Sequence, residues 1–326
     1  MTQLIQIGII GTGFAAQKRA EAFAQDNRAQ VVAVAGYRPE SRKNFYQTYG
    51  VTGYDSPQHL IANPDLDLVV ICNINAEHGK LAQAALEAEK HVVIEYPLAL
   101  KPEQAQYLIT LAKQKDKLLH VEHIELLGGL HNAIRQWLPK IGDVFYARYS
   151  TINPQRPAPK KWTYHKQLFG FPFSGALSRF HRFTDLFGKV NAVNCHSRYW
   201  ERENPDEYCA CLTHAQLQFA NGLLADIIYG KGEVFWQPSR RFELHGDHGT
   251  LMFDGNAGKL IRGEEETPIA VGSRRGLFAK DTELVLDYLT AGKPLYIDPT
   301  ASYYATRVAD AARVAAETGK TIFLEN

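Results

Sequence analysis

Leu4-Ile5-Gln6-Ile7-Gly8-Ile9-Ile10-Gly11-Thr12-Gly13-Phe14-Ala15-Ala16 decides the fold: an apolar run that reads as a strand meets Gly-x-Gly-x-x-Ala and passes into a helical pattern over 14–24. Each position of the turn has a mechanical reason. Gly11 permits the tight reversal, and Gly13 lets the backbone approach a pyrophosphate. Ala16 lets the helix lie close on the strand, with the helix N-terminus toward the phosphates. Phe14, inside the same turn, is expected to line that site. Small residues serve any strand-to-helix turn, so the pattern takes its meaning from the βαβ unit around it.

The surrounding chain supplies that unit. Short β-rich runs over 30–37, 68–72, 91–95 and 118–123 alternate with helical patterns over 40–49, 76–89 and 102–115. This is the alternation of a parallel sheet with helices on both faces, and it predicts an α/β dinucleotide-binding (Rossmann) domain over 1–123. The character then changes. A helix is expected over 126–138, followed by strands over 145–152, 190–200, 216–219, 223–228, 241–245 and 250–253. Asn221-Gly222 between two of them predicts a type I′ hairpin. With final helices over 282–290 and 301–317, residues 124–326 read as an α+β substrate or assembly domain built on a large, mostly antiparallel sheet. The stretch 153–173, rich in Pro, Lys and aromatic residues, reads as a long loop of the kind that carries function.

The second strand bears on the cofactor. A site that prefers NAD carries Asp or Glu at this strand's end for the ribose 2′-hydroxyl. Here the strand ends Ala35-Gly36-Tyr37-Arg38, and Arg38 with Ser41 and Arg42 suits a 2′-phosphate. NADPH (NADP+) is expected ahead of NADH, against the plainer reading of these side chains as solvated loop charges. Bulk composition narrows the class further. The 326 residues are 45% hydrophobic and 22% charged with a formal net charge of +1, which excludes a disordered or fibrous chain. Nothing in that balance points to nucleic acid or to an anionic membrane as partner. No apolar run approaches the ~20 residues that span a bilayer. Residues 1–10 lack the basic start and cleavage site of a signal peptide. Cys72, Cys195, Cys209 and Cys211 have neither zinc-ligand spacing nor a Cys-x-x-Cys pair, so no metal is expected and the cytoplasm is the expected compartment.

Three further stretches carry a resemblance: Asn73-Ile74-Asn75-Ala76-Glu77-His78, the run 84–88, and Lys90-His91-Val92-Val93-Ile94-Glu95-Tyr96-Pro97. In order and spacing they resemble the glucose–fructose oxidoreductase and inositol dehydrogenase (Gfo/Idh/MocA) family, with its nicotinamide-facing Asn-x-x-His loop and its Glu-Lys-Pro strand end. The resemblance implies cofactor contacts at Asn73, Asn75, His78, Glu95 and Tyr96. The departures say more. Tyr96 stands where the sugar dehydrogenases have Lys. Their Asp-x-Gly-x-His-x-x-Asp signature falls on Ser178-Arg179-Phe180-His181-Arg182-Phe183-Thr184-Asp185, which keeps only Asp185. Alcohol oxidation needs a base near neutral pKa on the hydroxyl, and Tyr and Arg are poor substitutes.

Glu95-Tyr96-Pro97 is what biliverdin reductases show. The run from Val121 to Gly129, Trp162-Thr163-Tyr164 and Gly170-Phe171-Pro172 are similar to the cyanobacterial branch of that group. The resemblance implies NADPH-dependent reduction of biliverdin IXα to bilirubin at its C10 methine bridge, by a protein that tends to be monomeric. A flat tetrapyrrole with two propionates needs ring surface and cations. Tyr96, His123, Trp162, Phe171, Arg179 and Arg182 are the expected substrate contacts. Arg179 is the first expected catalytic group, as an orienting cation because its guanidinium stays protonated. Glu95 is the second, as a general acid, with a structural carboxylate as its plainer reading. Two other functions stay open at this point: a diol or sugar dehydrogenase of the same family, and a non-catalytic NADP-binding sensor.

Overall fold

A computed structural model describes residues 4–325. The chain forms two compact units. One takes the chain up to Ile124 together with Arg275–Tyr303, and the other takes Glu125–Arg274 together with the chain from Tyr304.

The first unit runs β1 (Ile5–Ile10), α1 (Phe14–Ala24), β2 (Ala29–Ala35), α2 (Pro39–Tyr49), β3 (Thr52–Tyr54), α3 (Pro57–Ile61), β4 (Leu68–Ile71), α4 (Asn75–Glu87), β5 (His91–Ile94), α5 (Pro102–Gln114) and β6 (Leu119–Val121). The six strands are all parallel in the order β3-β2-β1-β4-β5-β6, as the alternating pattern requires. Successive residues point to opposite faces, and both faces are dry. Val69, Ile71, Val92 and Ile94 pack with Leu81, Ala82 and Ala85 of α4. Ile7, Ile9, Val34 and Val70 pack with Ala16, Ala20 and Phe23 of α1. The strand order reverses between β1 and β4, the switch point where doubly wound sheets take their ligands. The segment that returns to this unit near the end of the chain brings α10 (Leu277–Ala291), whose Val285 and Leu286 join the same core as α1.

The second unit adds α6 (Gly129–Trp137), β7 (Val144–Pro154), the one-turn helices α7 (Lys166–Phe169) and α8 (Pro172–Gly175), and α9 (Ser178–Phe187). Strands follow at β8 (Val190–Glu201), β9 (Tyr208–Phe219), β10 (Leu224–Gly232), β11 (Ser239–Gly246), β12 (Gly249–Asp254), β13 (Ala257–Arg262) and β14 (Glu265–Ala270). The chain ends in α11 (Pro299–Thr318) and β15 (Ile322–Phe323). Nine strands form one sheet, antiparallel throughout except where β10 lies parallel to β7. The expected fold class is therefore the observed one. α9 lies on this sheet through Phe183, whose ring is 5.2 Å from Phe242 on β11, and Phe187, 5.9 Å from Phe219 on β9.

Two local expectations change. The hairpin at Asn221-Gly222 exists, but Asn221 keeps a negative φ while Gly222 sits at φ +88°. Gly222 N–H donates to the Phe219 carbonyl at 3.0 Å and Phe219 N–H to the Leu223 carbonyl at 2.9 Å. That is a three-residue loop with a single left-handed glycine, not type I′. The stretch 153–173 is not wholly irregular either: it ends in α7 and the start of α8, held by the buried ammonium of Lys231. That group donates to the Thr163 carbonyl and lies 3.7 Å from the Phe169 ring centroid and 4.7 Å from that of Tyr164.

Candidate active site

In the first unit the expected dinucleotide turn is built as its sequence demands. Gly11 has φ +120° and donates its N–H to the Ala35 carbonyl at 2.9 Å. A Cβ there would stand 2.4 Å from the carbonyl oxygen of Cys72. Gly13 begins α1 with nothing within 4 Å of where its Cβ would be, which leaves a backbone cradle open to a ligand. Ala16 is fully buried against the sheet, and Phe14 is 70% exposed. At the end of β2 no carboxylate follows Ala35. Arg38 is exposed at the N-cap of α2, Ser41 lies in that helix's first turn, and Arg42 donates to the Gly36 carbonyl at 2.5 Å. An exposed guanidinium beside free helix N–H groups fits a 2′-phosphate.

The loop after β4 is held from behind. His78 is 1% exposed, with Nδ1 2.8 Å from the Pro97 carbonyl and Nε2 3.3 Å from that of Asn73. Burial lowers its basicity, while those carbonyls work the other way. Both ring nitrogens thus face backbone carbonyls and the one that carries the proton donates to its carbonyl, so His78 ties down the loop that presents Asn73 and the buried Asn75. The side-chain amide of Asn73 has both its oxygen and its nitrogen buried without a partner. A buried amide with donor and acceptor both unspent fits a ligand offering the complementary pair, as a nicotinamide carboxamide does.

Below this loop lies a charge cluster of which sequence reasoning named only Glu95. Arg19 on α1 and Asp281 on α10 are both wholly buried and directly paired. Arg19 Nε also donates to Glu95 at 3.1 Å. Asp281 accepts from the Tyr296 hydroxyl at 2.8 Å and lies 2.9 Å from His120 Nε2. Glu122, at the end of β6, accepts the Ile124 N–H at 2.6 Å. Burial raises the Glu95 carboxyl against the pull of Arg19. Burial, reinforced by the charge of Glu95, pushes Glu122 well above the ordinary carboxylate range. Asp281 goes the other way: burial alone would raise it, but Arg19 and His120 hold it low. Three carboxyl groups thus face one guanidinium, with Glu95 and Glu122 both pushed up by burial and Asp281 alone held low. The sequence signal was available, since Arg19 falls on the same apolar face of α1 as Ala16, Ala20 and Phe23. Tyr96 stacks on His123 at 5.5 Å and 6°, and His123 Nε2 is 2.9 Å from the Ser302 hydroxyl.

The second unit contains a cavity of about 480 Å³. Its lining includes Glu125, Tyr149, Thr151, Arg179, Arg240 and Arg274. Arg179, in the first turn of α9, donates to Thr151 Oγ1 at 3.3 Å and Ser178 Oγ at 3.1 Å, and its guanidinium lies 4.9 Å from the Tyr229 ring centroid. Glu125 is gripped by three guanidiniums: Arg182 at 3.2 Å, Arg240 at 3.4 Å, and Arg274. Burial would raise Glu125, yet Arg182, Arg274 and Arg240 keep it below the usual carboxylate range. Arg182 itself is 1% exposed, beneath the cavity rather than lining it. Trp162 and Phe171 are half-buried and also stand outside that lining; Trp162 packs on Phe169 and Phe171 on Phe173. Arg240, Arg274 and Tyr149 are site residues that the sequence did not single out. Tyr149 and Arg240 lie on strands and Arg274 in a loop, where each reads as an ordinary strand or loop residue.

The model of an oxidoreductase family with an NAD-binding Rossmann fold, Gfo/Idh/MocA, matches residues 5–123, and that of its C-terminal alpha/beta domain matches 138–324. The chain belongs to the Gfo/Idh/MocA family. A relative from Synechocystis, biliverdin reductase solved in complex with biliverdin and NADP+, is 58% identical over 96% of this chain and 99% of its own, with a TM-score of 0.95. Mouse biliverdin reductase A is 26% identical over 281 residues, 86% of this chain and 84% of its own length. An oxidoreductase from Bacillus subtilis, 20% identical over 100% of this chain and 99% of its own with a TM-score of 0.84, shares the fold. The resemblance drawn from Glu95-Tyr96-Pro97 and from the segments after it is borne out, and the chain is an NAD(P)-dependent oxidoreductase. Among the described residues no helix is long and apolar enough to cross a membrane, and no three His, Cys, Asp or Glu side chains cluster as metal ligands.

Proposed function

We propose that this protein reduces biliverdin IXα to bilirubin with NADPH. The observation that carries the reading is the 58% identity, over 96% of the chain, to a biliverdin reductase solved with biliverdin and NADP+. The geometry of each unit supports it. NADPH, when bound, supplies the hydride that C10 receives; Gly11, Gly13, Phe14, Ala16, Arg38, Ser41, Asn73 and Asn75 are the residues that hold it, within 1–123. The bilin takes the cationic cavity of the region 124–326, where Arg179, Arg240 and Arg274 outnumber the carboxylates Glu125 and Asp254. That excess suits a dianion. Arg179 stays protonated, so its task is to orient the bilin and stabilise charge. The protein works as a monomer in the cytoplasm, where NADPH is abundant and its four cysteines stay free.

A polyol dehydrogenase is disfavoured by Arg182, which stands in the place of that chemistry's His and is buried on Glu125. Anaerobic mixing with NADPH and biliverdin IXα is the test. The red biliverdin band is expected to fall as the blue-absorbing bilirubin band rises. In Arg179→Ala the rate is expected to drop by about 10²-fold while NADPH binding stays as it was. An unchanged spectrum with NADPH binding established separately overturns the reading and brings the polyol or sensor function forward. Arg38→Ala checks the cofactor independently. Its KM for NADPH is expected to rise roughly tenfold with that for NADH unmoved, because one charge-assisted contact to the 2′-phosphate is gone. Equal effects on both cofactors would place the 2′-phosphate elsewhere.

A further inference from the structure

Reduction of a methine bridge needs a proton as well as a hydride, and the cavity of the second unit narrows its source to one side chain. Its ionisable lining groups among the described residues are Glu125, Tyr149, Arg179, Arg240, Asp254 and Arg274. The three guanidiniums do not release protons in the accessible pH range. Glu125 is held as a carboxylate by Arg182, Arg240 and Arg274, and Asp254 accepts from Arg241 Nε at 3.1 Å. Glu125 is thus committed as an acceptor to its guanidiniums and Asp254 to Arg241. The aliphatic hydroxyls of Thr151, Ser178 and Ser239 are far weaker acids, and the first two already accept from Arg179. The ammonium of Lys231 lies outside this lining, bound to the Thr163 carbonyl. Tyr149 remains.

Its surroundings suit the task. Tyr149 projects from β7, 4% exposed, its ring 5.0 Å from Phe242 and 5.9 Å from the Arg182 guanidinium. The charged groups that act on it are Arg179 and Arg182 of α9, Arg240 of β11, and Glu125 ahead of α6. Three cations thus face the phenol against one anion. Burial alone would raise the phenol; Arg182, Arg179 and Arg240 overcome it and bring Tyr149 below the ordinary tyrosine range. The same three charges stabilise the phenolate once the proton has left.

Resting on the functional reading above, we propose that Tyr149 is the catalytic acid, delivering its hydroxyl proton to the pyrrole-type nitrogen next to C10. The balance closes. A hydride with both electrons leaves C4 of NADPH and forms the C10–H bond. The methine double bond shifts its electron pair onto the nitrogen, which takes H+ from the Tyr149 O–H. Biliverdin gains two hydrogens and two electrons, NADPH becomes NADP+, and solvent reprotonates the phenolate. Arg179 then acts as the group that keeps Tyr149 acidic and holds its anion.

Tyr149→Phe tests this, since it removes the hydroxyl and keeps the ring on Phe242. The expected result is a fall in kcat of about 10²-fold or more. Biliverdin affinity, read from the bound pigment's visible spectrum, stays unchanged, and a solvent isotope effect grows as water becomes the donor. In the wild type, kcat falls as pH rises through the Tyr149 ionisation, because the phenol must carry its proton. The tyrosinate absorbance of wild type minus variant shows one tyrosine ionising ahead of the rest over that same interval. A wild-type protein inert toward biliverdin overturns the functional reading and this assignment with it. Wild-type turnover matched by Tyr149→Phe overturns the assignment alone. If the variant does not fold, the wild-type profile decides: activity that is flat through the tyrosinate transition overturns it.

Discussion

Arg19→Met is expected to cost about 3–5 kcal/mol of folding stability at neutral pH, the cost of breaking a buried ion pair from one side. Arg19 is wholly buried and is the guanidinium paired with both Asp281 and Glu95. Met fills much the same volume, so the loss comes from the charge and not from a cavity. Asp281 shows the sign of the pH dependence. In the wild type its carboxyl is held low by Arg19 and His120 against the burial that would raise it. That contribution is present above the unfolded carboxylate pKa and is lost as pH falls through the folded one. Without Arg19, burial raises Glu95 further and acts on Asp281 with His120 alone left against it, so both carboxyls move up from their wild-type positions. The variant's deficit is then greatest at neutral pH and shrinks on acidification, as protonation removes the unpaired charge. Denaturant midpoints at about pH 7 and about pH 5 measure it. An equal deficit at both would show that packing, not charge, is at stake. Adding Asp281→Asn to Arg19→Met should restore part of the loss, since it withdraws one stranded anion.

Arg19 also marks the limit of what the sequence discloses. Its pairing with Asp281 spans 262 positions, and no local pattern joins the two. A basic residue on the buried face of α1 announces a partner without naming it. Most of the parallel sheet was legible because its inner strands are buried on both faces and bounded by helix starts, so that α1 falls on the predicted 14–24, whereas the three-residue edge strand β3 is mostly exposed and gives no apolar run. The far edge of the second sheet was not. β13 is short and only partly buried, β14 is mostly exposed, and Pro268 is tolerated in β14 because that strand lies at the sheet's edge. The site divides the same way. Gly11, Gly13 and Ala16 were readable because backbone geometry dictates their type. Arg179 came from the resemblance. Tyr149, Arg240 and Arg274 come together only when α9, β7 and β11 are packed, and each alone reads as a sheet or loop residue. Arg182 was expected at the substrate, and its burial on Glu125 makes it a support for the cavity's charge.

Gly11→Ala and Gly13→Ala, two substitutions of equal size two residues apart, should fail in different ways. At Gly11 the added Cβ meets the Cys72 carbonyl oxygen at 2.4 Å and its carbon at 2.8 Å, both backbone atoms that no rotamer change can move. The φ of +120° is strained for any side chain as well. Either the β1–α1 turn or the end of β4 must shift, and both belong to the dinucleotide site. Gly11→Ala is therefore expected to lose several kcal/mol of stability and essentially all NADPH binding. At Gly13 the backbone is extended and the Cβ points into open space, so that variant should fold and melt like the wild type. Its added methyl instead occupies the cradle where a pyrophosphate must approach the backbone, and NADPH affinity should fall by at least about 10²-fold. Thermal melting and cofactor fluorescence titration of both variants separate the two effects. A Gly13→Ala protein that binds NADPH normally would mean that the pyrophosphate does not approach this turn. A Gly11→Ala protein as stable as the wild type would mean that the Cys72 carbonyl yields more readily than a strand end should.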